Sequence, residues 1–151
     1  MTAALRGRLL TMLSGTLPTA GAWYPVHQLL TAAPCGPPAI CLLSQAELRV
    51  TPVTVSAAVR SSRAAANLAA SPAATLVCWA GRLHYVSLEL RATTGPRDGV
   101  HGYLFDVRDI RVDDIGIELR PLEYRMEAWL AKAERWDATT AILNELAAQA
   151  G

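Results

Sequence analysis

Arg60, Ser61, Ser62 and Arg63 stand together at the head of an alanine-rich run that ends at Ser71-Pro72. Serine is a favoured helix N-cap, because its hydroxyl accepts from a free N–H of the first turn. The remaining free N–H groups and the positive end of the helix dipole form a natural seat for a phosphate. An arginine fork can hold two phosphate oxygens at once. Two arginines at a helix start oppose the dipole, a cost that an anion between them would offset. The same four residues also describe an ordinary capped surface helix with two solvated arginines, and the segment by itself leaves both readings open.

Other groups with chemistry are scattered. His27, His84 and His101 have no acidic partner at motif spacing. His84 alternates in step with Val86, which predicts a buried histidine, whereas His101-Gly102 beside a loop predicts an exposed one. Asp106, Asp109, Asp113 and Asp114 read as outward or turn residues, with no paired-carboxylate site. Cys35, Cys41 and Cys78 are odd in number and lack CxxC spacing. That argues against a disulfide framework or a zinc site and for thiols acting as small apolar residues in a reducing, cytoplasmic setting. No metal ligands are assigned.

The 151 residues, 52% hydrophobic and 18% charged, are those of a globular chain and suffice for one domain over 1–151 with a real core. Net charge is +1 but lopsided, because residues 1–97 hold eight arginines against two glutamates. Residues 98–151 hold six basic groups against eleven acidic ones. The imbalance suits an anionic small ligand, self-association, or merely a solvated surface. Basic residues do not interleave with aromatics, so nucleic acid is a poor fit. Prolines 18, 25, 34, 37 and 38 break the uncharged stretch between Arg8 and Glu47, so no membrane span is expected.

Periodicity supplies the positioning elements. Leu5, Leu9, Leu10, Met12 and Leu13 predict a helix over 3–14 stopped by Gly15, and a second short helix is expected near Val26–Ala32. "AICLL", 39–43, reads as a buried strand, and "LRVTPVTVS", 48–56, as one with an edge or bulge at Pro52. The 60–70 helix follows. "ATLVCW" and "LHYVSLELRA" predict a hairpin about Ala80-Gly81 with Val86, Leu88 and Leu90 on one face. "TTGPRDG", 93–99, is expected as a loop, and "YLFDVRDIRV" and "IGIELR" as two more strands. Pro121 is expected to open a helix carrying Leu122, Met126, Trp129, Leu130 and Ala133, with Trp129 and Trp136 stacked on one face. Asp137 would cap a last helix with Ile142, Leu143 and Leu146. Consecutive hairpins favour an antiparallel barrel over a parallel α/β sheet.

"SRAAANLAASPAATLVCW", 62–79, resembles the Ser-Arg, helix, Pro, strand segment of the FMN-binding split-barrel proteins, the superfamily of pyridoxamine 5′-phosphate oxidase. The resemblance implies a mainly β, α+β fold: a six-stranded antiparallel split β-barrel flanked by N-terminal and C-terminal helices. It further implies a homodimer with FMN between protomers, and flavin-dependent oxidoreductase activity on a small molecule. Ser62-Arg63 would then hold the flavin phosphate, with Arg60 and Ser61 beside them. Thr54 and Ser56 offer hydroxyls near 56–58, where the family carries an aromatic-threonine pair. The strand "AICLLS" lacks the family's Arg and Lys, and no histidine follows His101 to supply its Arg-x-His motif. Pyridoxamine phosphate oxidation is therefore not expected. The alternative is a flavin-free split-barrel dimer that acts as a binding or interaction protein.

Overall fold

The nine residues Trp23–Thr31 alternate along their second half, with His27, Leu29 and Thr31 buried and the residues between them half-exposed. That period of two makes a strand, β1, where a short helix was expected. A computed structural model of the chain describes residues 3–14 and 17–150. Gly15, the expected helix stop, lies outside the described residues. The first helix, α1 (Gly7–Leu13), ends at Ser14.

After β1 come β2 (Ala39–Ser44), a 3₁₀ turn (Gln45–Glu47), β3 (Leu48–Val50), β4 (Thr54–Val59) and α2 (Ser62–Ala70). β5 (Ala73–Ala80), β6 (Arg82–Arg97), β7 (Val100–Asp113) and β8 (Leu122–Arg125) follow, then α3 (Leu130–Ala133) and α4 (Trp136–Ala150). The fold is α+β, with one eight-stranded sheet in the order β2-β1-β5-β6-β7-β4-β3, and β8 on β1. Every pairing among these strands is antiparallel. No pairing among them joins β2 to β3, so the sheet is open, and its eight strands exceed the expected six-stranded barrel.

Several segments depart from expectation for local reasons. Pro52 lies in a turn that splits 48–56 into the β3–β4 hairpin. The 93–99 stretch is mostly strand, and the β6–β7 hairpin turns tightly at Asp98-Gly99, both with positive φ (51° and 77°). Two such residues fit the turn whose twist matches the flanking strands. β2 is an edge strand, with Ile40 60% and Leu42 57% exposed, rather than a buried one. Leu122 and Met126 mimic helical spacing, yet 122–125 pair with Trp23–Val26. Residues 115–118 form no strand. Trp129 is exposed ahead of α3 while Trp136 is buried in α4, so the two do not share a helix face.

The curl of the sheet encloses one core. Leu43 of β2 and Leu48 of β3, from opposite ends of the strand order, share it with Leu29, Val55, Leu76, Val86 and Phe105. Leu9 and Leu13, four residues apart on one face of α1, and Leu5 just ahead of the helix add to it. Each such burial contributes roughly 1.5–3 kcal/mol. A second core lies on the opposite face of β4 and β7, where Ala58, Val100 and Leu104 meet Ile142, Leu143 and Leu146 of α4. β4 is consequently buried at all six positions.

Candidate functional site at the start of helix α2

β4 delivers the chain to α2 with a single intervening residue before the cap. Ser61 is that cap: its Oγ accepts from the Ala64 N–H at 3.1 Å, and its carbonyl accepts from Ala65 N–H at 3.0 Å. The N–H groups of Ser62 and Arg63 have no acceptor among the described residues. Both side chains are exposed, and the Arg63 guanidinium has no partner among the described residues. α2 is held from below by Ala64, Asn67 and Leu68, all buried. It stops at Ser71, before Pro72, as its sequence predicts.

Arg60 takes a different path. Its Nη1 donates to the Ala133 carbonyl at 3.1 Å and to Glu134 Oε2 at 3.0 Å, tying the residue before the cap to the end of α3. Thr54 and Ser56 are not at the helix start. They alternate with the core residues Val55 and Ala57, so they share the side of β4 that carries Ala58 against α4. Thr54 is 2% exposed and Ser56 3%, and the Thr54 hydroxyl bonds that of Thr51 at 2.7 Å. The structure thus brings Ser61, Ser62 and Arg63 together, turns Arg60 aside, and places the two β4 hydroxyls elsewhere.

A cavity of about 330 Å³ runs beside α2, between Ala65, Leu68 and Ala69 on the helix and Leu90, Thr93, His101 and Tyr103 on β6 and β7. Ser62 lies three residues before Ala65 and seven before Ala69, on the same helix face, while neither Ser62 nor Arg63 is among the residues that line the cavity. His101 and Tyr103 stand two apart on one strand face, their rings nearly parallel (16°) with centroids 6.4 Å apart. The cavity therefore combines an aromatic wall with aliphatic packing. His101 and Tyr103 were not anticipated as a pair. Their His-x-Tyr spacing on a strand was the signal that could have found them.

Two histidines differ from expectation: His101, expected exposed, is half-buried against Tyr103, and His84, expected buried, is not. His84 is half-exposed, with Nδ1 3.0 Å from the Arg82 carbonyl, and is not buried. His27 is fully buried with both ring nitrogens unpartnered, and burial pulls its pKa down to about 4. Burial pushes the Cys41 thiol up to about 11, aided by the Glu47 charge, and that of Cys78 to about 12. Neither thiol is activated as a nucleophile. Among the described residues no helix is long and apolar enough to cross a membrane.

No protein-family model matches the chain, and no curated protein matches it. Among solved structures it is similar to a protein from Sinorhizobium meliloti 1021 described as a "putative oxidoreductase", with a TM-score of 0.50 and 10% identity. The match covers 76% of this chain and 52% of the other, so the chain spans about half the length of that protein. At that identity the likeness concerns the fold.

Proposed function

We propose that the chain binds FMN in the cleft beside α2 and serves, as a homodimer, as a flavin-dependent oxidoreductase. The observation that carries this reading is the unpartnered Arg63 guanidinium beside the open N–H groups of Ser62 and Arg63, on the helix whose later turns wall the aromatic-lined cavity. These donors fit a phosphate: an oxyanion there would satisfy two orphan N–H groups and relieve the cation at the dipole's positive end. Ser62 and Arg63 would hold the phosphate. Leu68 and Leu90 would keep water from the bound group, and His101 and Tyr103 would offer their rings to a planar one. FMN, when bound, supplies hydride or electron transfer, and the chain supplies placement. The resemblance of 62–79 to the split-barrel flavoproteins supports the same reading, and the dimer rests on it alone.

A second reading, a flavin-free binding protein on the same scaffold, is favoured by one observation: Arg60 is already engaged by Glu134. A visible absorption spectrum after adding FMN and desalting decides between them. A retained flavin band that is lost in Arg63→Ala supports the first. A colourless protein whose melting temperature ignores FMN leaves the second. Sedimentation equilibrium tests the dimer, and a monomer at all concentrations would overturn that part.

A further inference from the structure

β1, β2 and β5 carry no charged residue, although charged residues make up 18% of the chain. Leu29, Leu43, Leu76 and Val86 of this part of the sheet point into the first core. The residues that alternate with them therefore point away from it. On that outer face Ile40 stands beside Leu30, Leu30 beside Thr75, and Thr75 beside Ser87. In the next row Leu42 stands beside Gln28, Gln28 beside Val77, and Val77 beside Tyr85. α4 covers this side of the sheet where β4 and β7 run, while Ile40 and Leu42 stay largely in solvent.

A sheet with one solvated face alternates apolar and polar residues, and continuous apolar runs belong to strands buried on both faces. "AICLL" in β2 and "LVCW" in β5 are such runs. β2 has the sequence of a buried strand and the position of an exposed edge, so it lacks a cover on its outer side.

Charge and area fit one kind of cover. β7 bounds the face with Asp109 opposite Ser87 and Arg111 opposite Tyr85. Arg111 Nε lies 3.9 Å from Asp109 Oδ2, and Glu89, next along β6, accepts from Arg108 at 2.9 Å. The rim is thus paired within the chain and offers no free charge to select a partner of opposite sign. A twofold contact sets a surface against its own copy, and an uncharged surface meets its copy without opposing like charges. The five strands from β2 to β7, about 4.8 Å apart, over the six residues of β2 at about 3.3 Å each, span roughly 500 Å². Two copies then bury about 1,000 Å² in all, the size a specific interface needs.

We propose that a second copy of this chain docks on the outer face of β2, β1, β5 and β6, the two sheets packed face to face about a twofold axis. The proposal rests on the homodimer reading above and gives that dimer its surface. Ile40 and Leu42 of each copy interdigitate with the opposite sheet, about 10 Å away. β2 then becomes a strand buried on both faces, as its sequence reads.

The test is sedimentation equilibrium of the full-length wild type, Leu42→Arg and Ile115→Lys. Ile115 is equally exposed but lies beyond the end of β7, so its variant controls for an added surface charge. Wild type and Ile115→Lys should form dimers with a Kd of about micromolar or tighter. Leu42→Arg should weaken the dimer about a hundredfold or more, because each arginine would be buried unpaired. Its ¹H–¹⁵N spectrum should remain that of a folded chain, since Leu42 is 57% exposed in the monomer. Without any destabilising variant, the wild-type Ile40 methyl signal, assigned with Ile40→Val, should shift on dilution through the Kd while that of Ile115 stays fixed. A dimer that survives Leu42→Arg, with an Ile40 methyl indifferent to dilution, would overturn this face and leave the homodimer standing. A wild type that is monomeric at all concentrations would overturn both, and flavin retention would still be read separately from the absorption spectrum. A monomer that pellets with phosphatidylcholine vesicles, and is released by Leu42→Arg, would overturn the second copy in favour of a lipid surface.

Discussion

Asn67 of α2 donates from Nδ2 to both the carbonyl (3.3 Å) and the hydroxyl (3.0 Å) of Thr31, the last residue of β1. Both residues are buried, so this contact fixes α2 to the sheet by groups that have no water to fall back on. Asn67→Ala is expected to cost about 1–3 kcal/mol in urea unfolding, the penalty for leaving a buried acceptor unpaired. Asn67→Asp should cost more, because its carboxylate would face the Thr31 carbonyl. Equal stability of Asn67→Asp and wild type would show that the contact does not anchor the helix.

Arg60 and Arg63 are adjacent to the same cap but differ in commitment. Arg63→Ala should weaken FMN or inorganic phosphate binding about tenfold to a hundredfold, the worth of charge-assisted bonds. Arg60→Ala should change binding by less than about threefold and stability by no more than about 1 kcal/mol, since its pair with Glu134 is partly exposed. Isothermal titration of both variants makes the comparison, and the reverse order of effects would assign the anion to Arg60.

His27 and Glu47 should pull stability in opposite directions with pH. The His27 pKa falls from 6.5 to about 4 on folding, so the unfolded chain binds more protons between those values and stability drops as pH falls through that window. The Glu47 pKa rises from 4.5 to about 7, so the folded chain holds the extra proton and stability drops as pH rises from 4.5 to 7. Relative to wild type, His27→Leu should remove the loss on the acid side and Glu47→Gln the loss toward neutrality. Each slope is bounded by about 1.4 kcal/mol per pH unit. Urea unfolding from pH 4.5 to 7.5 reads both slopes, and parallel curves for all three proteins would contradict the assignment.

Gly102 lies where β7 passes under α4. A Cβ there would clash with Ile142 Cγ2 and sit 2.7 Å from Thr94 Cγ2 and 3.1 Å from Leu146 Cδ1. Two of these side chains are β-branched and stiff. Gly102→Ala is therefore expected to cost about 1–3 kcal/mol through overpacking, and to raise hydrogen exchange in α4 before the rest of the fold. Protection in α4 equal to wild type would mean that the helix shifts without loss.

α2 was legible because both of its ends are written locally, Ser61 as cap and Pro72 as stop. The β5–β6 hairpin was legible because Val86 and Leu88 alternate with polar residues. β1 was not, since Leu29 and Leu30 together with bounding prolines imitate a short helix. Only pairing with β2, β5 and β8 brings out its period of two. The same holds for 122–125, whose spacing to Met126 and Trp129 is helical until β1 claims it. In the candidate site, Ser61, Ser62 and Arg63 followed from adjacency. The fate of Arg60 depended on Glu134, 74 residues away, and that of Thr54 and Ser56 on α4, so neither could be read from neighbours. Glu47 left a faint trace as the first acidic residue in the chain, with none following until Glu89.

β4 is covered on both faces and passes into α2 through Arg60 and Ser61 alone. The proposed anion site at the helix start would thereby be held in place by its strand, which is packed on both faces. An anion docking there would find the donors already aimed, so little of the binding energy would be lost to ordering the protein. Selectivity would then come from the shape of a rigid cradle, and ligands differing only in how well they fit it should separate by dissociation rate more than by association rate.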